Sequence, residues 1–267
     1  MGTCHTPLIA VKMVKAAKAT HFLSLDRKIV KRAHAALTAL LQQQTNPKDL
    51  LDNPHQFLYM TIELNSLPDF FTQRPLQLPL PHPIYTRAFN SRVCMIVKDP
   101  QRAWKEKLDA SGLKQTALSK VVSIEKLGKK YGQYKDRRAL LREFDLFLAD
   151  VRVFRMLPER TGKDFYRTKK TPVLLDLEAD FENSVRTALN STYIVLGHGP
   201  IYNVKVARTT QSASEVYDNM VSALDGLQRV LPELQLAHIR RIDLKGATTL
   251  SLPVHNYLTE TEVKALG

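Results

Sequence analysis

Apolar residues change their spacing three times along the chain, and each change marks a different kind of element. Over residues 24–46, Ile29, Val30, Ala33, Leu37, Leu40 and Leu41 recur at helical spacing. Ser24 or Asp26 can cap that helix, and Asn46-Pro47 ends it. Leu58 to Leu64 alternates apolar and polar positions, which predicts a strand with one buried face. Residues 65–90 are rich in proline. Leu76 to Leu80 therefore reads as an edge strand, because proline cannot donate to a central ladder.

From Arg92 the spacing shifts to short apolar runs separated by helical segments. Arg92 to Val97 predicts a strand buried on both faces, and a helix follows over 100–110. Lys120 to Glu125 is the next predicted strand, 136–144 a helix and Asp145 to Ala149 a strand again. Another helix begins at Val153 to Leu157. Strands alternating with helices over 92 to about 175 imply a parallel sheet. The tail has longer elements. Helices are predicted over 178–191 and 212–230, the second capped by Ser212 or Ser214. Strand material at 192–206 is broken by Gly197-His-Gly-Pro200, which reads as a turn. His238 to Leu244 and Leu250 to Val254 complete the set. This order suggests an outer α+β domain from residues 1–90 and 176–267, with an α/β domain from 91–175 inserted into it.

Charge changes the picture most. Across 267 residues the formal net charge is +13, which points to a polyanionic partner such as nucleic acid. Two cysteines, Cys4 and Cys94, are too few for a disulfide framework and suggest a reducing compartment. No apolar window approaches the roughly 20 residues that span a bilayer, and no secretory signal pattern is visible. The opening Met-Gly-Thr-Cys-His-Thr fits a short, common acylation pattern at Gly2, with Cys4 as a second anchor point.

The common catalytic motifs are absent from the sequence. There is no phosphate-binding G-x-x-x-x-G-K-[ST] loop, no G-x-G-x-x-G after a strand and no G-x-S-x-G elbow. The eight histidines are scattered, so no metal or other cofactor is expected. Glu63 with Asp69, or Asp145 with Asp150, could form acid–base pairs, but their positions on or beside strands suit solvated charge as well.

Basic residues do cluster. Lys126, Lys129, Lys130, Lys135, Arg137 and Arg138 are expected between the second inserted strand and its helix, with Tyr131 and Tyr134 interleaved. Arg160, Lys163, Arg167, Lys169 and Lys170 form a second run with Phe165 and Tyr166. Such residues neutralise phosphates and stack on unpaired bases, or simply face solvent. In the outer domain, Val204 to Thr210 ends a strand with Lys205, Arg208, Thr209 and Thr210, and Leu244 to Thr249 supplies Lys245, Thr248 and Thr249. Cations and hydroxyls at strand ends suit phosphate and 2′-hydroxyl recognition.

At these segments the chain resembles the ribosomal protein L-one superfamily, and within it the nucleolar ribosome-assembly branch. Phe144 to Asp150, Leu157-Pro158, Gly162-Lys163, Phe165-Tyr166 and Lys169-Lys170-Thr-Pro172 carry the resemblance in order and spacing. Leu80-Pro81-His82 and Asn203 to Thr210 extend it, and the element order agrees from about residue 24 to 258. The resemblance implies a two-domain fold, a split α+β sandwich with an inserted Rossmann-like α/β domain. It implies RNA binding at strand ends of the outer domain, so that Lys205, Arg208, Thr209, Thr210, Lys245, Thr248, Thr249, His82 and Arg87 become the expected RNA contacts. Lys126, Lys129, Lys130, Lys163, Arg167, Lys169 and Lys170 are a secondary basic surface.

The sequence departs from the stalk protein of that superfamily at Ala207-Arg208, at Ala247-Thr248-Thr249 and at Pro83 after His82. These departures, with the compact length, favour the short branch member associated with small-subunit precursors. The leading expectation is a non-catalytic nucleolar factor, monomeric within a large ribonucleoprotein, whose partners are pre-rRNA and other assembly proteins. A protein-docking module, a large-subunit precursor factor and an enzyme on the inserted sheet are the alternatives.

Overall fold

The structure is a computed structural model and describes residues 25–44, 55–65, 74–113, 116–178, 180–230 and 239–256. The acylation pattern at Gly2 and Cys4, Asp69 and the Asn46-Pro47 stop lie outside the described residues.

Helix α1 (Arg27–Gln44) turns Val30, Ala33, Leu37 and Leu41 inward, as its spacing predicts. Strand β1 (Phe57–Leu64) alternates strictly. Leu58, Met60, Ile62 and Leu64 are buried, while Phe57, Tyr59, Thr61 and Glu63 are only half-buried. It pairs antiparallel with β8 (Ile201–Arg208) on one side and β9 (Ile239–Lys245) on the other. Strand β10 (Leu252–Asn256) closes a sheet of order β10-β9-β1-β8. Helices α1 and α8 (Ala213–Val230) pack together, and the core they share with this sheet includes Met60, Val204, Val216 and Met220. Strands β2 (Leu76–Pro79) and β7 (Ser191–Ile194) form a separate antiparallel ladder, and β2 lies against α8. Proline sits at the end of β2, where a missing donor costs least.

Between β2 and α7 (Phe181–Leu189) the chain builds a parallel sheet of order β4-β3-β5-β6. Its strands are β3 (Val93–Val97), β4 (Leu118–Ser123), β5 (Leu146–Asp150) and β6 (Val173–Leu175). Every residue of β3 and β5 is buried, because both faces are covered. Val93, Met95 and Val97 join the core that continues into the outer sheet. Cys94 and Ile96 face a second core with Phe144, Phe147 and Phe165. Helices α2 (Gln101–Ala110), α3 (Ile124–Lys130), α4 (Tyr134–Glu143), α5 (Leu157–Thr161) and α6 (Lys163–Arg167) flank this sheet.

Two local expectations are corrected, and the cap of α8 is decided between its two candidates. The strand expected at 120–125 is β4 at 118–123, because the Ser123 side chain accepts from Lys126 N at 3.2 Å and starts helix α3. Lys126, Lys129 and Lys130 are thus on a helix, not in a loop. The helix expected from Val153 is a 3-10 turn over Val151–Met156, followed by two short helices parted at Gly162. Gly162 has φ +75, a left-handed conformation that glycine adopts without strain. Helix α8 starts at Ala213, with Ser212 and Glu215 as a reciprocal cap: Ser212 N donates to Glu215 Oε2 at 2.7 Å, and Glu215 N to Ser212 Oγ at 3.3 Å.

Candidate functional site

The register of the antiparallel sheet assembles the first feature of the site. Tyr59 on β1 lies opposite Lys205 on β8 and opposite Lys245 on β9. One row across three strands therefore reads lysine, tyrosine, lysine on the face away from α1 and α8. The next row is Asn203, Thr61 and Asp243, with Thr61 Oγ1 donating to Asn203 Oδ1 at 2.7 Å. Directly opposed side chains of this kind lie close enough to act on one ligand.

Facing this row is the turn after α6. The cleft between them has a volume of about 460 Å³. Tyr59, Asn203, Lys205 and Lys245 line one wall, and Asp145, Arg167, Lys169 and Lys170 the other. Tyr85 and Tyr193 complete an aromatic lining. Two basic segments more than 30 residues apart in sequence thus meet in one place. The cleft touches Asp145, Leu146 and Val173, at the amino ends of β5 and β6. Nucleotide-using enzymes on parallel sheets use the opposite, carboxyl ends.

The lysines differ in state. Lys205 Nζ sits 4.3 Å from the ring centroid of Phe57 and 5.8 Å from that of Tyr85. Burial pushes its pKa down to about 8; Asp145 opposes this, while Lys170 and Arg208 add to it. Lys170 is committed elsewhere. Its Nζ donates to the carbonyls of Leu141 and Phe144, both at 2.7 Å, and so closes the end of α4. Lys169 and Arg167 are exposed. Lys169 adopts φ 55, and its N–H donates to Tyr166 O as α6 ends.

Arg208 is not on the ligand face. Its side chain is 2% exposed. Its guanidinium donates to Ile84 O at 3.2 Å, His55 O at 2.7 Å, Ser91 Oγ at 2.5 Å and Asp145 Oδ2 at 3.4 Å. Its Cζ lies 3.3 Å from the Phe57 ring centroid. It ties β8 to the segment before β3 and to the start of β5, and so holds the two walls of the cleft in place.

The remaining expected contacts scatter. Thr210 is exposed, and its Oγ1 is 3.2 Å from His55 Nδ1. Thr209 N donates to Gln56 O, which places it at the same strand end. Thr249 Oγ1 accepts from Gly246 N at 2.7 Å and braces the turn after β9, leaving Thr248 exposed. His82 faces acids, with Nδ1 3.9 Å from Glu215 and Nε2 3.6 Å from Asp218. Two carboxylates beside the ring put negative charge where a phosphate would have to approach. Arg87 lies away from this cleft, in a second groove with Lys126 and Lys130. Lys129 pairs with Glu125 at 3.6 Å, and Lys163 is exposed at the start of α6.

Sequence reading missed Tyr59, Tyr85, Asn203 and Asp145 as members of one site. The alternation of β1 puts Tyr59 on the polar face, but its neighbours are set by register. Asp145 is the ion partner of Arg208, and Asp150 is held by Arg152 at 2.5 Å. Among the described residues no group of three or more His, Cys, Asp or Glu side chains is placed to hold a metal ion. No helix among them is long and apolar enough to cross a membrane.

An antiparallel α+β unit interrupted by a parallel α/β unit, with a cationic, tyrosine-lined cleft where they meet, defines a distinct architectural class. The chain belongs to the ribosomal protein L1p/L10e family, whose pattern matches residues 31–250. It is 29% identical over 186 residues to a Schizosaccharomyces pombe protein named for ribosome biogenesis, covering 68% of this chain and 49% of that protein. It is 25% identical over 258 residues to mouse (Mus musculus) ribosomal L1 domain-containing protein 1, covering 93% and 56%. A second S. pombe protein named for ribosome biogenesis is 27% identical over 248 residues, covering 90% and 84%. The chain thus spans about half the length of the first two relatives.

Proposed function

We propose that this protein is a non-catalytic ribosome biogenesis factor that binds structured pre-rRNA in early nucleolar particles, those of the small-subunit precursor. The observation that carries the reading is the Lys205–Tyr59–Lys245 row facing Arg167 and Lys169 across one cleft. Cations on both walls suit a phosphodiester strand, and the tyrosines offer faces for unpaired bases. The names of the relatives support the biological setting. Residues 1–90 with 176–267 serve as the main RNA-binding domain and 91–175 as the inserted one. The protein acts as a monomer, without cofactor, beside other assembly proteins.

RNA crosslinking with sequencing in cells, on wild type and Lys169→Ala/Lys245→Ala, tests this. Sharp peaks on one small-subunit precursor element, lost in the double variant, are the expected result. Peaks on large-subunit sequences would reassign the precursor. The absence of rRNA peaks, with nuclease-resistant capture of assembly proteins, would replace RNA binding by protein docking.

A further inference from the structure

A second groove lies along the outer edge of the parallel sheet. Its volume is about 830 Å³, and β4, α2, α3 and the segment before β3 line it. Arg87, Arg92, Lys105, Lys126 and Lys130 bring cations into it from three sides, with Asp109 on the rim. All five are exposed. The side chains of Arg87, Arg92, Lys105 and Lys126 have no hydrogen-bond or ion-pair partner among the described residues, and Lys130 lies 5.6 Å from the Tyr131 ring centroid. Lys120 is different. It pairs with Glu143 at 3.3 Å and belongs to the floor.

The edge of β4 decides what such a groove can take. An open edge strand invites a peptide to add as a further strand. Here the edge is blunted by a side chain from α2. Gln101 Nε2 donates to Val121 O at 2.6 Å. An incoming strand would have to displace that bond. What remains is charge without a backbone ladder. Lys126 and Lys130 stand about one helical turn apart on α3, about 6 Å along its axis. That interval is comparable to the step between successive phosphates of a nucleic-acid strand. Lys105 on α2 lies across β4 from them.

We propose that this groove is a second RNA site, which holds a phosphodiester backbone without reading its bases. The inference rests on the RNA-binding reading of the first cleft and adds a second, separate contact on the inserted unit. The molecule would then grip RNA at two places, one selective and one purely electrostatic.

Fluorescence anisotropy with the full chain, a pre-rRNA target fragment and an unrelated structured RNA, each over a salt series, tests it. Log affinity falls by about 0.7 to 0.9 per phosphate neutralised for each tenfold rise in salt. The triple variant Lys105→Ala/Lys126→Ala/Lys130→Ala is expected to lower that slope by about 2 for both RNAs. Its selectivity between them should not change. All three side chains are exposed, and an unaltered thermal melt checks that the fold is intact. Lys245→Ala, by contrast, should reduce selectivity for the target. A triple variant with wild-type slope on both RNAs, while Lys245→Ala still loses selectivity, overturns the groove and leaves the first reading standing. A wild type that binds neither RNA overturns both. Loss of poly-glutamate binding in the triple variant, with RNA slopes unchanged, would overturn the groove as an RNA site and assign it to an acidic protein.

Discussion

Arg208 shows how a basic side chain in a basic protein can serve the fold instead of a ligand. Its donors end on protein oxygens, and among the described residues its acidic partner is Asp145. Removing one side of a buried pair leaves polar groups without partners. Arg208→Ala is therefore expected to lower stability by about 3 to 5 kcal/mol, read by urea denaturation. An RNA-binding defect in that variant would report collapse of the cleft walls and not a lost contact. Lys205 behaves in the opposite sense. Its folded pKa, about 8, is below its ordinary value of 10.5, so between those pH values the unfolded chain binds more protons than the folded one. Stability should rise from pH 8 to 10.5, and that favourable increment should disappear as pH falls below 8. In Lys205→Met the rise should vanish, and denaturation midpoints across this range check it. A phosphate beside Lys205 favours its charged form. RNA binding near pH 8 should thus take up protons, measured by calorimetry in buffers of different ionisation enthalpy, and should weaken as pH climbs through 8.

At the level of elements, the helices and turns are pinned by a few polar side chains. Asn219, fully buried on α8, accepts from His82 N at 3.0 Å and donates to His82 O and Val206 O at 2.9 and 2.8 Å. It locks the Leu80-Pro81-His82 step to β8, which positions Tyr85 in the cleft. Asn219→Ala should cost about 1 to 3 kcal/mol, because three backbone groups lose their partner inside the core. Thermal melts of the variant measure this, and no loss would mean that water replaces the amide. Helix α8 also approaches β2 at Gly226, where an added Cβ would lie 3.3 Å from Leu78. These local fixtures set the position of His82. Asn219 holds its backbone, and Glu215 and Asp218 face its ring.

For the whole molecule, one continuous apolar core runs from the outer sheet to one face of the parallel sheet. The cleft walls are thus joined both by this core and by the Arg208–Asp145 tie. Asp145→Asn should keep most hydrogen bonds of Arg208 but leave its charge without a nearby counter-ion. We expect a small stability loss with a larger loss in target selectivity, compared by denaturation and anisotropy on one preparation. Under the proposed reading, the surplus of positive charge would have two distinct uses in the two clefts, one shaped by tyrosines and one not.

Much of this was legible from residue order. The strict alternation of β1, the apolar runs of β3 and β5, and the long amphipathic helices α1 and α8 follow from local periodicity, which a chain carries wherever it folds. The concentration of basic residues near 126–138 and 160–170, and at 205 and 245, was equally visible. Other features depended on neighbours far away in sequence. The bulge between Leu58 and Tyr59 in the β1–β8 ladder sets which β8 residue meets Tyr59, and a slip of one residue would turn Lys205 to the other face. Ser123 looked like strand and proved to be a helix cap. Arg208 looked like a surface cation and proved to be a buried tie, because only the assembled fold brings Ile84, His55, Ser91 and Asp145 around it. The sequence alone determined the elements, their two kinds of sheet and the excess of cations, since these follow from local spacing and composition. Only the tertiary structure decided which cations line the clefts, because burial and register are properties of residues distant in the chain and adjacent in space.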